Sequence, residues 1–531
     1  MNVLFFFFIF FFITLISKIQ AKPHIVNSLP GYDGHLPFTL ETGYVGVGEK
    51  EEVQLFYYFI ESERDVQNDP LMLWLTGGPG CSAFSGLVFE IGPVTFDTSD
   101  TNSGLDVPKL KLNPYSWTKQ FSSSRKLQKE TIDLYRIVQR ANEPLREYLQ
   151  RFNQEKISIQ DCDVGTTIQA YRQGLVATII FLDSPVGTGF SYATTYDAYY
   201  SDDDLQSAHI YDFLRKWLVD HPKFRRNTFY VAGDSYSGLI VPMVVLEILN
   251  GNELEHQPKI NLKGYVLGNP TTTDYSEIMN SQIKYFHRVS LLSDELYQLA
   301  EVSCNGDYFN ADESNTKCLL AHRAISEATS SLDKAHVLEH NCVYVSPKPT
   351  KKFQSRENQM KDDNNINSHY LGDQKLQYLF CRNQDFLLSY TWADDSRVRE
   401  ALNIREGSID RWVRCNGSIS YKGYLHNAFE YHQNFTKKYL QALIYSGDQD
   451  SLVSYVGTLE WINQLQITIT EDWRPWFVDG QIAGYVTEFG SFPYQYHLVY
   501  ATIKGAGHTA PEYKPRESLA MIDRWFSLSL L

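Results

Sequence analysis

Positive charge is scarce in this chain, since 48 Lys and Arg stand against 63 Asp and Glu and leave a formal net charge of -15 over 531 residues. No stretch collects enough basic side chains to neutralise a row of phosphates. We therefore expect neither nucleic acid nor an anionic membrane surface as a partner. The length suits one large elaborated domain or two ordinary ones.

Long apolar runs are also lacking, apart from one near the amino terminus. Residues Val3 to Ile16 are almost wholly apolar, which is short for a membrane span and has the length of a signal-peptide core. We predict a signal peptide over residues 1–21 and a secreted or vacuolar protein with no membrane contact after cleavage. Because the usual basic residues before the core are missing, a retained anchor is the alternative. N-glycosylation sequons at Asn416 and Asn434 agree with the secretory route.

Closely spaced, repeated cysteine pairs, which would indicate a zinc site, are absent from the sequence. We predict no metal and no cofactor. In a secreted chain, seven cysteines indicate disulfides with one thiol left over. They stand at Cys81, Cys162, Cys304, Cys318, Cys342, Cys381 and Cys415.

A serine stands in the segment Thr228 to Gly238, where a β-branched and aromatic run meets small residues and continues into an apolar stretch. This pattern predicts a strand, a tight turn and a helix, an arrangement that raises a Ser235 hydroxyl above the backbone as a nucleophile. The usual elbow has Gly two residues after the serine, whereas Ser237 stands here. A plain surface turn is therefore the alternative on this segment alone.

An acid and a base follow the serine in the order that such a hydrolase requires. Asp450 comes after the apolar run Gln441 to Ser446, and His508 comes after Tyr500 to Lys504. A serine hydroxyl needs an imidazole to take its proton, and the imidazole needs a carboxylate to hold its tautomer. Ser235, His508 and Asp450 are our candidates for these three roles.

Several short apolar runs are separated by helical patterns, as expected for buried parallel strands of an α/β protein. The clearest helix is Asp202 to His221, with Ser201 as its predicted cap and an apolar face of Leu205, Ala208, Phe213, Trp217 and Leu218. The predicted strands are Leu55 to Ile60, Leu71 to Leu75, Thr178 to Leu182, Thr228 to Ala232, Gly264 to Leu267, Leu443 to Ser446 and Tyr500 to Lys504.

The chain between Ser235 and Asp450 is far longer than one crossover requires. We predict a lid region there, roughly within residues 275–400. Inside it, Pro347 to Gln374 is polar and rich in Lys, Asp and Asn, which is typical of a mobile or cleavable loop.

With these parts placed, the chain resembles the serine carboxypeptidase family, and in particular its plant serine carboxypeptidase-like acyltransferase branch. The resemblance implies an α/β-hydrolase fold over residues 22–531, with a central, mostly parallel sheet flanked by helices. It spans nearly the whole mature chain. The segments that carry it are Trp74 to Ser82, Asn113 to Trp117, Phe181 to Tyr192, the Ser235 elbow, and the Asp450 and His508 segments.

The resemblance also implies particular contacts. The backbone N–H groups of Gly78 and Tyr236 are expected to form an oxyanion hole, and Gly77 lets the main chain approach a substrate closely. Taken alone, this glycine-rich run is a plain turn. The family's disulfide pattern carries over as Cys81 with Cys415, Cys304 with Cys318, and Cys342 with Cys381.

Two positions separate a transferase from a peptidase. Family carboxypeptidases have Asn where Thr76 stands and Glu where Asp234 stands, and these groups hold a peptide's terminal carboxylate. Thr76 and Asp234 resemble the acyltransferase branch, which moves an acyl group from a 1-O-β-glucose ester to an alcohol acceptor. Glu90 matches a family carboxylate beside the residue before the nucleophile, where two carboxyls share a proton and favour an acidic working range. An ordinary solvated charge is the alternative for Glu90.

Residues 121–176 differ in character from the rest of the chain. Thr131 to Val138 and Leu145 to Phe152 have helical periodicity with dense charge, and Cys162 follows them. The segment resembles the capsid-like part of retrotransposon gag proteins. We interpret it as a retained transposon fragment or a mispredicted exon, with an evolved regulatory domain as the alternative.

We therefore predict a small-molecule acyltransferase that uses a hydroxycinnamoyl or similar glucose ester. A serine carboxypeptidase is the second reading, and an inactive product disrupted by the 121–176 insertion is the third.

Overall fold

The computed structural model describes residues 23–98, 107–119, 176–310, 312, 314–341, 382–491, 495–527 and 531, without the side chains of 383 and 384. The predicted signal peptide, residues 121–175 of the predicted insertion, Cys162, Cys342, Cys381 and the loop Pro347 to Gln374 lie outside these ranges. Within them, no helix is long and apolar enough to cross a membrane.

A twelve-stranded sheet runs through the molecule in the order β1-β2-β3-β7-β4-β10-β11-β13-β16-β15-β14, with β8 paired to β3. The bounds of the strands are β1 His24–Val26, β2 Leu40–Val47, β3 Val53–Ile60, β4 Leu71–Leu75, β5 Val94–Phe96, β6 Leu110–Leu112, β7 Thr178–Leu182, β8 Tyr192–Ala193, β9 Ser201–Asp202, β10 Phe229–Asp234, β11 Leu262–Gly268, β12 Tyr421–Lys422, β13 Gln441–Gly447, β14 Thr468–Val478, β15 Gln481–Ser491 and β16 Tyr496–Ile503.

Parallel pairing is confined to the centre of the sheet. The six strands from β7 to β16 are parallel to one another, whereas β1, β2 and β3 on one side and β15 and β14 on the other pair antiparallel. The sheet is therefore mixed, and "mostly parallel" describes only its core. Each of the seven predicted strands is present, because fully buried runs such as β4 and β7 need apolar residues on both faces.

The helices cover both faces of the sheet and extend beyond it. Their bounds are α1 Asp203–Asp220, α2 Ser237–Glu253, α3 Tyr275–Arg288, α4 Asp294–Cys304, α5 Thr316–Thr329, α6 Arg382–Asp394, α7 Ser396–Ala401, α8 Phe429–Phe435, α9 Tyr455–Gln464, α10 Ala510–Tyr513 and α11 Pro515–Phe526.

Two details of the prediction for the helix Asp202 to His221, which corresponds to α1, are wrong. Its cap is Asp202, whose carboxylate accepts from the Leu205 amide at 2.8 Å, while Ser201 lies in β9. Ala208 is exposed, and the apolar face begins at Ile210 and continues through Phe213 to Leu218. The first turn is instead occupied by buried polar side chains, including Asp203.

The hydrophobic core has three parts. Two clusters of buried side chains pack on the opposite faces of the sheet. A third cluster, which includes Tyr285, Ala300 and Ile325, joins α3, α4 and α5 within the predicted lid range. Helix α6 belongs to the first cluster, since Trp392 stacks on Phe84 with ring centroids 4.9 Å apart. The predicted lid range therefore combines two regions that pack differently.

Disulfides join Cys81 to Cys415 and Cys304 to Cys318, as the family pattern predicts. The predicted pair of Cys342 and Cys381 lies outside the described residues.

Candidate active site

Ser235 lies in a sharp turn between β10 and α2, with a φ of 54°. A non-glycine residue in this region is strained, as a nucleophile elbow requires. The residue that needs to be small is Gly238, where a Cβ would lie 2.4 Å from the Thr271 carbonyl oxygen. Ser237, at the usual glycine position, fits because its hydroxyl donates to the Leu75 carbonyl at 3.0 Å.

The structure brings the three predicted residues into one hydrogen-bonded row, which we call the serine row. His508 Nε2 lies 2.8 Å from Ser235 Oγ, and His508 Nδ1 lies 2.8 Å from Asp450 Oδ2. Because an ionised carboxylate only accepts, Nδ1 carries the ring proton and Nε2 is left to accept from the serine. The loops meet because β13 and β16 are parallel and end together, with Gly447 opposite Ile503.

Asp450 is fully buried and held by further donors. Asn269 Nδ2 donates to its Oδ2 at 2.8 Å, and the Leu452 amide donates to its Oδ1 at 2.8 Å. Sequence reasoning missed Asn269, although its position directly after the buried strand β11 is a usable signal. Burial is the largest influence on His508 and lowers its pKa, but the charge and hydrogen bond of Asp450, together with Asp234, outweigh it and raise the pKa overall.

The predicted oxyanion donors belong to two segments, the glycine loop Gly77–Gly78 and the residue that follows Ser235. Gly77 packs so closely that a Cβ there would lie 2.6 Å from Ser235 Cβ and 2.9 Å from the Tyr236 amide nitrogen. The next residue, Gly78, is exposed and has a φ of 134°. Among the hydrogen bonds of the described residues, neither the Gly78 nor the Tyr236 N–H donates to a protein acceptor. Both amides are therefore free to donate to a bound group.

A second group of side chains, which we call the carboxyl cluster, consists of four buried groups whose charges act on one another, together with Thr76, the residue before Gly77. The four are Glu90, Asp234, Arg414 and Glu512. Glu90 ends a π-helical turn, Gly86–Glu90, and is only 3% exposed, so the solvated-charge alternative is wrong. Burial, then the charges of Asp234 and Glu512, raises the pKa of Glu90 well above its ordinary value. Burial also raises the pKa of Asp234.

Asp234 does not bond to Glu90; its Oδ1 accepts from the Gly77 amide at 3.0 Å. Two buried polar atoms of the cluster, Glu90 Oε2 and Thr76 Oγ1, have no hydrogen-bond partner within the described part of the chain. The short aspartate is thus tied to the glycine loop, and the cluster keeps unused hydrogen-bonding capacity.

Sequence reasoning also missed the two distal members of the carboxyl cluster. Arg414 is buried, stacks on Phe386 at 4.1 Å and donates to Ser85 Oγ at 3.3 Å. Glu512 accepts from Thr509 at 2.8 Å and lies 3.6 Å from Arg382. Neither position has a local sequence pattern that sets it apart, because their partners are distant in the chain. Among the described residues there is no group of three or more His, Cys, Asp or Glu side chains placed to hold a metal.

The mixed sheet, the elbow after β10 and the loops after β13 and β16 define an α/β hydrolase. A sequence model of the family described as serine carboxypeptidase matches residues 30–156 and 166–528. The chain belongs to the serine carboxypeptidase family. The match includes residues 121–156 and 166–176 of the segment predicted to be foreign.

Relatives from Arabidopsis thaliana agree with this assignment. Serine carboxypeptidase-like 7 is 40% identical over 96% of this chain and 95% of its own length. Serine carboxypeptidase-like 1 is 41% identical over 95% of this chain and 92% of its own length. Among solved structures, the prohormone-processing carboxypeptidase Kex1(delta)p from Saccharomyces cerevisiae superposes with a TM-score of 0.62, at 16% identity and 95% coverage of both chains. That likeness shows the shared fold.

Proposed function

We propose that the protein is an acyltransferase that moves a hydroxycinnamoyl or similar acyl group from a 1-O-β-glucose ester to an alcohol through an acyl-enzyme on Ser235. The observation that carries this proposal is the combination of a complete serine row with an Asp234 carboxylate that bonds to the Gly77 amide at 3.0 Å. The first feature supports covalent acyl transfer, and the second supports a substrate other than a peptide.

The serine row has the geometry for both halves of the reaction. His508 Nε2, 2.8 Å from Ser235 Oγ, takes the serine proton as the oxygen attacks the ester carbonyl. The Gly78 and Tyr236 amides stabilise the oxyanion, and the protonated His508 returns its proton to the departing glucose oxygen. In the second half, His508 deprotonates the acceptor hydroxyl, which attacks the acyl-enzyme and regenerates Ser235. Asp450 holds the imidazole tautomer throughout.

The carboxyl cluster supports the choice of transferase over peptidase. A terminal peptide carboxylate needs donors, such as a protonated carboxyl and a side-chain amide, aimed at it. Here Thr76 offers one hydroxyl in place of an amide, and Asp234 is one methylene shorter than glutamate and is already bonded to Gly77. Glu90 and Asp234 share the same buried region, and burial raises both pKa values, which supports an acidic working range.

A serine carboxypeptidase is the second candidate, because the chain belongs to that family and a Ser-His-Asp row serves hydrolysis equally well. The inactive-product reading is opposed by β7, the strand that follows the 121–176 segment. It lies in the sheet with β3 on one side and β4 on the other. We propose that residues 121–176 are a foreign insertion that leaves the site assembled.

We also propose passage through the secretory pathway to a secreted or vacuolar destination. The two disulfides support this, since such bonds persist in oxidising compartments. Asn434 is exposed on α8 and is the better glycosylation candidate. The Asn416 side-chain amide is partly buried and donates to the Gly187 carbonyl at 2.9 Å.

The test is to incubate the purified protein with hydroxycinnamoyl and galloyl glucose esters and a panel of alcohols, beside a blocked dipeptide. We expect new esters to form and the dipeptide to remain largely intact. Peptide release without ester transfer would overturn the proposal in favour of the carboxypeptidase. The Ser235→Ala variant, run in parallel, separates enzymatic transfer from spontaneous ester migration.

A further inference from the structure

The buried carboxylate of Asp203 lies near the active site but outside the serine row and the carboxyl cluster. It is the first residue of α1 and is fully buried. Its Oδ1 accepts from the Tyr236 hydroxyl at 2.8 Å and from the Tyr421 hydroxyl at 2.6 Å. Its Oδ2 accepts from the Tyr424 and Leu425 amides at 2.7 and 2.8 Å. Four donors therefore converge on one acceptor group.

Tyr236 is the important member of this set, because it directly follows Ser235 and its backbone N–H is one of the two oxyanion donors in the proposed function. Its phenol is held from two directions. Asp203 accepts its proton, and a Cβ on Gly423 would lie 2.6 Å from the hydroxyl oxygen, so the chain passes tightly against it. Burial and then the Asp203 hydrogen bond raise the pKa of Tyr236, so the phenol stays protonated and donates.

The segment Arg414 to Leu425 connects this anchor to the other oxyanion donor. At one end, Cys415 is bonded to Cys81, the Asn416 amide donates to the Gly80 carbonyl at 2.8 Å, and the Ser82 amide donates to the Arg414 carbonyl at 2.7 Å. At the other end, Tyr421, Tyr424 and Leu425 bond to Asp203. One stretch of chain thus contacts the glycine loop that contains Gly78 and the carboxylate that holds Tyr236.

We propose that Asp203 is a positioning residue for the oxyanion hole: by holding the Tyr236 phenol, it sets the direction of the Tyr236 N–H toward the carbonyl that Ser235 attacks. The inference rests on the proposed acyl-enzyme at Ser235 and on Gly78 and Tyr236 as its oxyanion donors. A tyrosine side chain has only two rotatable torsions, so fixing its hydroxyl restrains the ring and the peptide unit to which it is attached. Fixed donors stabilise a developing oxyanion without reorganising during the reaction.

The chain offers a matched pair of variants. Tyr236→Phe and Tyr421→Phe each remove one hydroxyl from the same oxygen of Asp203, but only Tyr236 carries an oxyanion amide. The Tyr421 hydroxyl also lies 2.7 Å from Gln206 Oε1 and interacts with the Tyr236 hydroxyl, so its loss removes at least as much polar contact while leaving the bond from Tyr236 to Asp203. The readout is the burst of p-nitrophenolate from p-nitrophenyl acetate, which reports acylation of Ser235 without any glucose ester.

We expect Tyr236→Phe to slow acylation about tenfold, below the roughly 10²–10³-fold cost of removing an oxyanion donor outright, with KM unchanged. Tyr421→Phe is expected to stay within about twofold of the unmodified protein. Equal effects of the two variants, or a change in KM alone, would overturn the proposal. Failure of the glucose-ester function appears separately, as absence of ester transfer by the unmodified protein in spite of a normal burst.

Asp203→Asn and the double variant Asp203→Asn with Tyr236→Phe complete a cycle. If Asp203 acts through Tyr236, the double variant is no slower than Asp203→Asn alone. Fully additive losses would overturn the proposal. If Asp203→Asn fails to fold, the matched tyrosine pair decides the question by itself.

Discussion

The serine row and the carboxyl cluster lie at neighbouring strand ends, yet they are built differently. In the row, His508 bonds on both ring nitrogens, and Asp450 accepts from His508, Asn269 and Leu452. In the cluster, Glu90 Oε2 and Thr76 Oγ1 are buried without a partner in the described part of the chain. The row is thus assembled before any substrate arrives, whereas the cluster is left with unused polar atoms.

This difference separates chemistry from selection. A row that needs no rearrangement can transfer protons as soon as an ester binds. A buried polar atom without a partner costs about 1–3 kcal/mol, so a ligand that satisfies it gains affinity and specificity. Under the proposed function, the row would form the acyl-enzyme and the cluster would contribute to the choice of substrate.

The largest expected effect breaks the row. We expect Ser235→Ala to lower kcat for ester transfer by more than about 10⁴-fold, because no other residue accepts the acyl group. Ser237→Ala is the matched control: it loses only the 3.0 Å bond to the Leu75 carbonyl, which costs about 1 kcal/mol of stability. Product formation is followed by chromatography. Substantial transfer by Ser235→Ala would remove this residue from the mechanism.

The next largest effect is expected when the cluster is given the residues of family carboxypeptidases and the row is left intact. In the double variant Thr76→Asn with Asp234→Glu, we expect the ratio of dipeptide hydrolysis to ester transfer to rise about tenfold or more, since one added hydrogen bond to a charged group is worth roughly 1.5–3 kcal/mol. Both rates are measured on the same preparation. Thr76→Val, which keeps the volume and supplies no amide, is the control. A folded double variant with an unchanged ratio would show that the cluster does not select the substrate.

A smaller effect is expected when Asp450 loses the support of Asn269. Asn269→Ala removes two hydrogen bonds. Asp450 loses the donor Asn269 Nδ2, and the Gly447 amide loses its acceptor, Asn269 Oδ1, at 3.1 Å. We expect kcat to fall about tenfold and stability to fall by about 1–3 kcal/mol, measured by steady-state kinetics and thermal melts. Asn261→Ala removes an exposed asparagine that lies far from the row and donates to the Arg226 carbonyl at 3.0 Å, so it should leave kcat unchanged. If kcat is unaffected by Asn269→Ala, the row does not depend on this support.

The smallest effect concerns the pH dependence of the cluster. Because the folded state raises the pKa of Glu90, it binds that proton more tightly than the unfolded chain does, so this stability is present below the ordinary glutamate pKa and is lost as pH rises toward the folded value. In Glu90→Gln the side chain is neutral at every pH, so this fall in stability with rising pH does not occur. We expect the melting temperature of Glu90→Gln, relative to that of the unmodified protein, to be about 3 °C higher at pH 8 than at pH 4.

Glu460→Gln, at a partly exposed ion pair with Lys284, is the control for this pH series. A constant difference between Glu90→Gln and the unmodified protein across the series would contradict a proton held on Glu90.

Local patterns predicted much of the fold and the serine row. The strands were found because buried parallel strands are continuous apolar runs, and the row was found because an elbow, an acid and a base follow in a set order. The β14–β15 hairpin at the sheet edge was missed, since β14 is mostly exposed and the buried residues of β15 do not alternate regularly. The cap of α1 was misplaced by one residue because Ser201 and Asp202 are both good cap residues, and only the backbone decides between them.

By itself, the sequence determined the residue types that can perform acyl transfer and the order of the elements that carry them, because the apolar periodicity and the turn residues are local properties of the chain. Only the tertiary structure decided that Glu90 is buried, that Asp234 bonds to Gly77, that Asn269 bonds to Asp450, and that Tyr236 bonds to Asp203. Burial and hydrogen bonding depend on residues that are far apart along the chain and meet only when the strands and helices have packed.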